Sequence, residues 1–167
     1  MHFIAPTTKA GISIVIIATI FIMLESLALP LPLQPIPDLQ SQTAWQVWLG
    51  QQKERPRVVM LPFAPTNGVA DFEQTTRWML ESRHFQAAMF NGYSGFFPPD
   101  HPHLRKAMLA FPSNDGLDLL RELGMDYLVV HHNLSGAPEL EDVSQQLALV
   151  FRDKQNNVAV YTWSPQR

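Results

Sequence analysis

The chain of 167 residues contains no cysteine, which excludes a disulfide framework and any thiolate metal site and leaves the redox compartment open. Positive charge is not in excess: twelve Lys and Arg stand against fifteen Asp and Glu, for a net charge of -3. A chain balanced in this way has no global attraction for nucleic acid. Neither a G-x-G-x-x-G fingerprint nor a phosphate loop is present, and GYSGF lacks the glycine two residues before Ser94 that a G-x-S-x-G nucleophile elbow requires. Several carboxylates (Asp71, Glu73, Asp115, Asp118) fall in the first turns of predicted helices, where capping and the helix dipole account for them. No internal repeat is visible. The sequence thus offers no catalytic residue, no metal site and no cofactor motif of its own.

What it has in quantity is apolar at the front and proline behind it. From Ala10 to Leu24, AGISIVIIATIFIML carries no charge. Continued to Leu29, the stretch reaches the roughly 20 residues that cross about 30 Å of hydrocarbon as a helix. Residues 10–29 therefore read as a transmembrane helix. Lys9 precedes the run and Glu25 and Asp38 follow it, so residues 1–9 are expected in the cytoplasm and the remainder exported. This gives a single-pass membrane protein with lipid as a partner. The alternative is a signal peptide cleaved near Ser26-Leu27-Ala28. Beyond it, LPLPLQPIPDLQ alternates proline with apolar residues, which predicts an extended, semi-rigid tether over 30–40.

Residues 41–167 read as a small α/β domain with a mixed sheet. Trp45 and Trp48 lie on a short helix and suit either an interfacial belt or packing on the domain. RVVMLPF (57–63) and DYLVVHH (126–132) are uninterrupted apolar runs, as expected of strands covered on both faces. Phe72, Thr76 and Met79 predict the inner face of one helix. Leu104, Met108 and Phe111 predict a second, begun by Asp100 and Pro102, and Leu117, Leu120 and Leu123 a third, stopped by Gly124. A further helix is expected over 139–146, then LALVF and VAVYTW as two strands joined by a polar hairpin.

Within this domain NGYSGFFPP (91–99) concentrates aromatic side chains on a backbone braced by two prolines. Tyr93, Phe96 and Phe97 are candidates to stack on sugar faces, and Asn91 and Ser94 to hydrogen-bond hydroxyls. The competing reading is that Phe96 and Phe97 fill the core and the glycines permit a tight turn. Ser94 with His101 would be a hydrolytic pair without an acid partner. His101 and His103 flank a proline and His131 and His132 are adjacent. Neither is a specific ligand spacing, and neighbouring strand residues face opposite ways.

The ordered string LESLALPLPLQPIPDL, VVMLPF, NGYSGFFPP and LLRELGMDYLVVHHN resembles the C-terminal end of bacterial polytopic membrane glycosyltransferases of the GT-C type. These are related to the protein mannosyltransferases and the aminoarabinose transferases. The most distinctive matches are Asn91, Gly92, Tyr93, Ser94, Gly95, Phe96 and Pro98, with Leu123, Gly124, Tyr127, Val129, Val130 and His131. The resemblance implies an extracytoplasmic tail domain at a bacterial inner membrane, with a multi-span glycosyltransferase or a glycan acceptor as partner. It places the catalytic carboxylate of such enzymes in an early loop that has no counterpart here. On this reading the chain is a split fragment or a free-standing accessory module, non-catalytic alone, and His131 joins the loop residues as a contact candidate. The alternative is a glycan- or ligand-binding module unrelated to sugar transfer.

Overall fold

A computed structural model describes residues 9–26, 41–52, 54–66, 68–92, 97–140 and 146–165. The chain divides into two compact units, Met1–Pro37 and Asp38–Arg167. Among its described residues the first contains the helix α1 (Lys9–Ser26), apolar on all sides. The transmembrane expectation is corrected here: among the described residues no helix is long and apolar enough to cross a membrane. The 18 residues of α1 rise about 27 Å, and the uncharged run between Lys9 and Glu25 only about 22 Å, against a hydrocarbon core of about 30 Å. The continuation to Leu29 and the tether lie outside the described residues. Placement as a single-pass inner-membrane protein with an exported domain loses its support with the span.

The second unit carries the mixed α/β architecture. Its elements are α2 (Ala44–Gly50), β1 (Arg57–Leu61), α3 (Val69–Glu81), a 3-10 turn at Ser82–His84, β2 (Ala88–Met89), α4 (His101–Leu109), α5 (Asn114–Glu122), β3 (Tyr127–His131), β4 (Leu147–Asp153) and β5 (Val158–Trp163). The five strands form one sheet in the order β2-β1-β3-β5-β4. β1 pairs parallel with both β2 and β3, with Val58 opposite Tyr127 and Leu61 opposite Val130. β5 runs antiparallel to β3 and β4, and the β4 side carries a bulge between Leu149 and Phe151.

Strand alternation sorts the core into two layers. Val58, Met60, Val129, Val158 and Val160 pack with Trp45 and Leu49 of α2, Trp78 of α3 and Phe85. Val59, Leu61, Leu128 and Val130 pack with Leu104 and Met108 of α4 and Leu117 and Leu120 of α5. The central strands are therefore covered on both faces, as their unbroken apolar runs predict. Local signals end the helices where expected. Ser113 Oγ accepts from Gly116 N at 3.2 Å at the start of α5, and Gly124 takes a φ of +70° just past its end.

Two elements depart from expectation, and a third lies mostly outside the described residues. The inner face of α3 is Phe72, Thr75 and Trp78, with Thr76 exposed, because the contact with the sheet runs along the edge that carries the large indole. Strand β2 was not expected: two residues carry no period, and it exists only through bonds such as Phe90 N to Val58 O at 3.0 Å. The helix expected over 139–146 falls mostly on 141–145, outside the described residues; Glu139 and Leu140 are irregular. Trp45 and Trp48 pack on the domain, Trp48 stacking on Phe151 with centroids 5.2 Å apart.

Candidate functional site

From β1 the chain passes through α3 on one face of the sheet to β2. From β2 it passes through α4 and α5 on the other face and returns to β3, on the far side of β1. In a sheet that begins in the order β2-β1-β3, the crevice where the strand order reverses lies at the carboxyl ends of β1 and β3, the usual ligand position in such sheets. The loop after β2, which contains Asn91 to Pro99, starts on the other side of β1, one strand away.

Its described side chains are built into an aromatic cluster. Phe97 meets His101 with ring centroids 4.4 Å apart, and Phe72, in the first turns of α3, at 5.5 Å. Phe63, just after β1, lies 6.0 Å from His101. The Arg105 guanidinium sits 5.7 Å from the Phe97 centroid and its Nη2 lies 3.4 Å from His101 Nδ1. Burial, with the Arg105 charge second, pushes the His101 imidazole below its ordinary range, so the ring is neutral at pH 7. Beside the cluster, Met79, Met89, Phe90, Pro98, His101 and Leu123 line a largely apolar cavity of about 510 Å³.

Asn91 anchors the loop. Its Oδ1 accepts from Met60 N at 2.7 Å and its Nδ2 donates to Met60 O at 2.8 Å. The side chain thereby extends the β1–β2 ladder by one imitation residue, and it is buried.

His131 is elsewhere, at the carboxyl end of β3 on the α2/α3 face. Its ring stacks on Trp78 with centroids 4.9 Å apart and meets Trp45 edge-on at 5.5 Å. It is 8% exposed, and its Nε2 is buried without a hydrogen-bond partner. Burial, with His132 second, pushes its pKa down to about 4. His131 lines a cleft of about 330 Å³ together with Thr43, Gln46, Glu81, His84 and Asn133. Glu81 accepts from Gln46 Nε2 at 3.0 Å. Burial raises its carboxyl above the ordinary range, opposed by Arg77, Gln46 and His84. The N-terminus of α2 is held over this cleft by Asp153, whose Oδ2 accepts from Trp45 N at 3.3 Å and from Asn156 Nδ2 at 2.8 Å.

The residues singled out from sequence thus divide. Asn91 and Phe97 belong to the loop cluster and His131 to the separate cleft; Tyr93, Ser94 and Phe96 lie outside the described residues. Phe63, Phe72 and Arg105 of the loop cluster, and Thr43, Gln46, Trp78 and Glu81 of the cleft, were not singled out. Each looks like ordinary helix or strand composition, and only folding makes them neighbours. No protein-family model, curated protein or solved structure matches the chain.

Proposed function

We propose that the α/β domain is a recognition module without a reaction centre of its own, of the kind that ends GT-C glycosyltransferases, and that it engages a glycan acceptor through the loop after β2. The observation that carries this reading is the position of that loop. The loop leaves the carboxyl end of β2 beside β1, with Phe97 packed on Phe72 and His101 and an apolar cavity at its side. Phe97 is half-buried, so its ring is held in place while part of it remains available. A fixed ring binds a sugar face at little cost in conformational entropy. His101, with the Arg105 guanidinium beside it, gives the cluster a polar edge.

Titration of the protein with cell-envelope oligosaccharides is expected to show binding that Phe97→Ala and Tyr93→Ala each weaken by about tenfold, the worth of one good aromatic contact. Circular dichroism confirms that the variants remain folded. Absence of binding, or equal affinity in the folded variants, would remove the proposal. If the protein instead captures a multi-span transferase and no glycan, the loop serves as a protein contact and the glycan half of the reading is lost.

A further inference from the structure

We infer that the end of the β4–β5 hairpin, beside the carboxyl end of β3, is a binding site for a doubly charged phosphate group. The group is either free phosphate or the monoester of a small soluble molecule. The site is separate from the loop after β2 and does not rest on it. Strand pairing assembles it. Arg152 lies opposite Ala159 and Asp153 opposite Val158 across β4 and β5. Ala159 in turn lies opposite Val130 across β5 and β3, and His132 N donates to Asn157 O at 3.0 Å. Successive strand residues face opposite ways, so Arg152 and Asp153 are separated by the sheet. Asp153 turns toward α2, where its Oδ2 accepts from Trp45 N at 3.3 Å. Arg152 takes the other face, the one that carries Val130. Arg152, Lys154, His132 and Asn157 line one pocket of about 240 Å³, with Ala159 in its wall.

Charge and donors choose the ligand. Guanidinium and ammonium supply donors and no acceptor, and the imidazole and amide add further donors. Asp153 also borders the pocket, but its carboxylate is occupied by the fold, accepting from Asn156 N at 3.1 Å and Asn156 Nδ2 at 2.8 Å. Arg77 and Arg121 pair with Glu73 and Asp118. Among the described residues Arg152 and Lys154 have no acid partner. Two like charges therefore meet at one pocket, a repulsion that a dianion between them relieves. A phosphate monoester carries a charge of about -1.5 to -2 at pH 7 and acceptor oxygens pointing several ways, so it can engage both cations at once. A carboxylate has a single charge in one plane and suits one guanidinium fork. The volume lies under the roughly 300 Å³ at which larger ligand sites begin, which fits a phosphate group and not a nucleotide. Arg152 and Lys154 are exposed, so water and salt screen the attraction, and a dissociation constant on the order of 1 mM is expected.

The test is NMR of the full chain at pH 7, following the Arg152 guanidinium, His132 ring and Asn157 amide signals during titration with sodium phosphate at constant ionic strength. These signals are expected to shift with a common midpoint, and acetate, a monoanion, to bind at least about fivefold more weakly. Glucose 6-phosphate separates the two sources. Tighter binding than phosphate assigns the site to a phosphorylated small molecule, and equal or weaker binding to free phosphate. Arg152→Gln and Lys154→Gln, at exposed positions where folding is not at risk, are each expected to weaken binding about fivefold. Lys154→Arg keeps the charge and is expected to stay close to the native affinity. Phe97→Ala is expected to leave binding unchanged, so this site can fail while the loop reading stands, and the reverse. No shift with phosphate, acetate bound as tightly as phosphate, or unchanged affinity in a folded Arg152→Gln, Lys154→Gln double variant would each overturn the inference. Arg152 and Lys154 would then be solvated surface cations.

Discussion

Asn91 shows how one side chain can carry more structure than its loop position suggests. Its amide imitates a strand residue for Met60, donating and accepting at once, so the edge of β1 is satisfied where β2 has already ended. Removing it orphans a buried N–H and a buried C=O. Asn91→Ala is expected to lower stability by about 3 kcal/mol, and Asn91→Asp by a similar amount, because the carboxylate accepts from Met60 N but cannot donate to Met60 O. Urea unfolding checks both; a loss below about 0.5 kcal/mol would mean that water replaces the amide. His131 is the opposite case, a polar residue whose ring is held by Trp45 and Trp78 while Nε2 remains unmet. In sequence both read as polar residues bordering an apolar run, and nothing local separates the satisfied one from the orphan.

At the scale of elements, ends matter as much as faces. Helix α5 stops because Gly124 adopts a φ of +70°, which turns the chain toward β3. Arg57, at the start of β1, reaches back and donates from Nη1 to Leu123 O at 3.1 Å, closing an otherwise open helix carbonyl. A Cβ at position 124 would lie 2.6 Å from that Nη1. Gly124→Ala therefore adds backbone strain to the loss of a cap, and about 1–2 kcal/mol of destabilisation is expected. Gly124→Asn should cost less, since asparagine tolerates the left-handed region. Equal stability of all three proteins in thermal unfolding would show that the turn can be made with negative φ. Strand β2 lies at the other extreme: its two residues have no intrinsic preference, and partners supplied by β1 define it.

For the molecule as a whole, the buried titratable groups set how stability follows pH. The His131 imidazole takes its proton near 6.5 in the unfolded chain but only at about 4 in the folded one. The unfolded state therefore binds more protons between these values. The His131 contribution is flat above about pH 6.5 and falls as the solution is acidified toward pH 4, by up to about 3 kcal/mol. The other ionisable groups of the cleft are Arg77, Glu81 and His84, with His132 adjacent on the chain. Glu81 acts with the opposite sign. Its raised pKa means that the folded state takes up the proton first, so its contribution is present at acid pH and is lost as pH rises through that raised value. Asp153 is buried; desolvation alone would raise its pKa, but hydrogen bonds from Asn156, Trp45 and Gln155 outweigh it and hold the carboxyl below its ordinary range. Its contribution is lost only below the ordinary carboxylate range. Urea midpoints measured between pH 4 and 7 are expected to slope for the native protein and to slope less in His131→Leu, where His101, also held below its ordinary range, keeps part of the dependence. Parallel slopes would locate the sensitivity in another group.

Much of the fold was legible in the order of residues. The apolar runs around Val59 and Val129, the inner leucines of α5 and the stop at Gly124 act within a turn or a strand, and so announce themselves locally. The apolar front run was legible as a helix but not as a membrane span, because the described helix and its uncharged stretch fall short of a bilayer's thickness. Folding alone decided the position of the loop beside β1, the engagement of Asn91 by Met60, and the meeting of Trp45, Trp78 and His131 around one cleft. Those three residues stand far apart along the chain. Only the pairing of strands and the layering of helices over them, both set by long-range burial, bring them within contact distance.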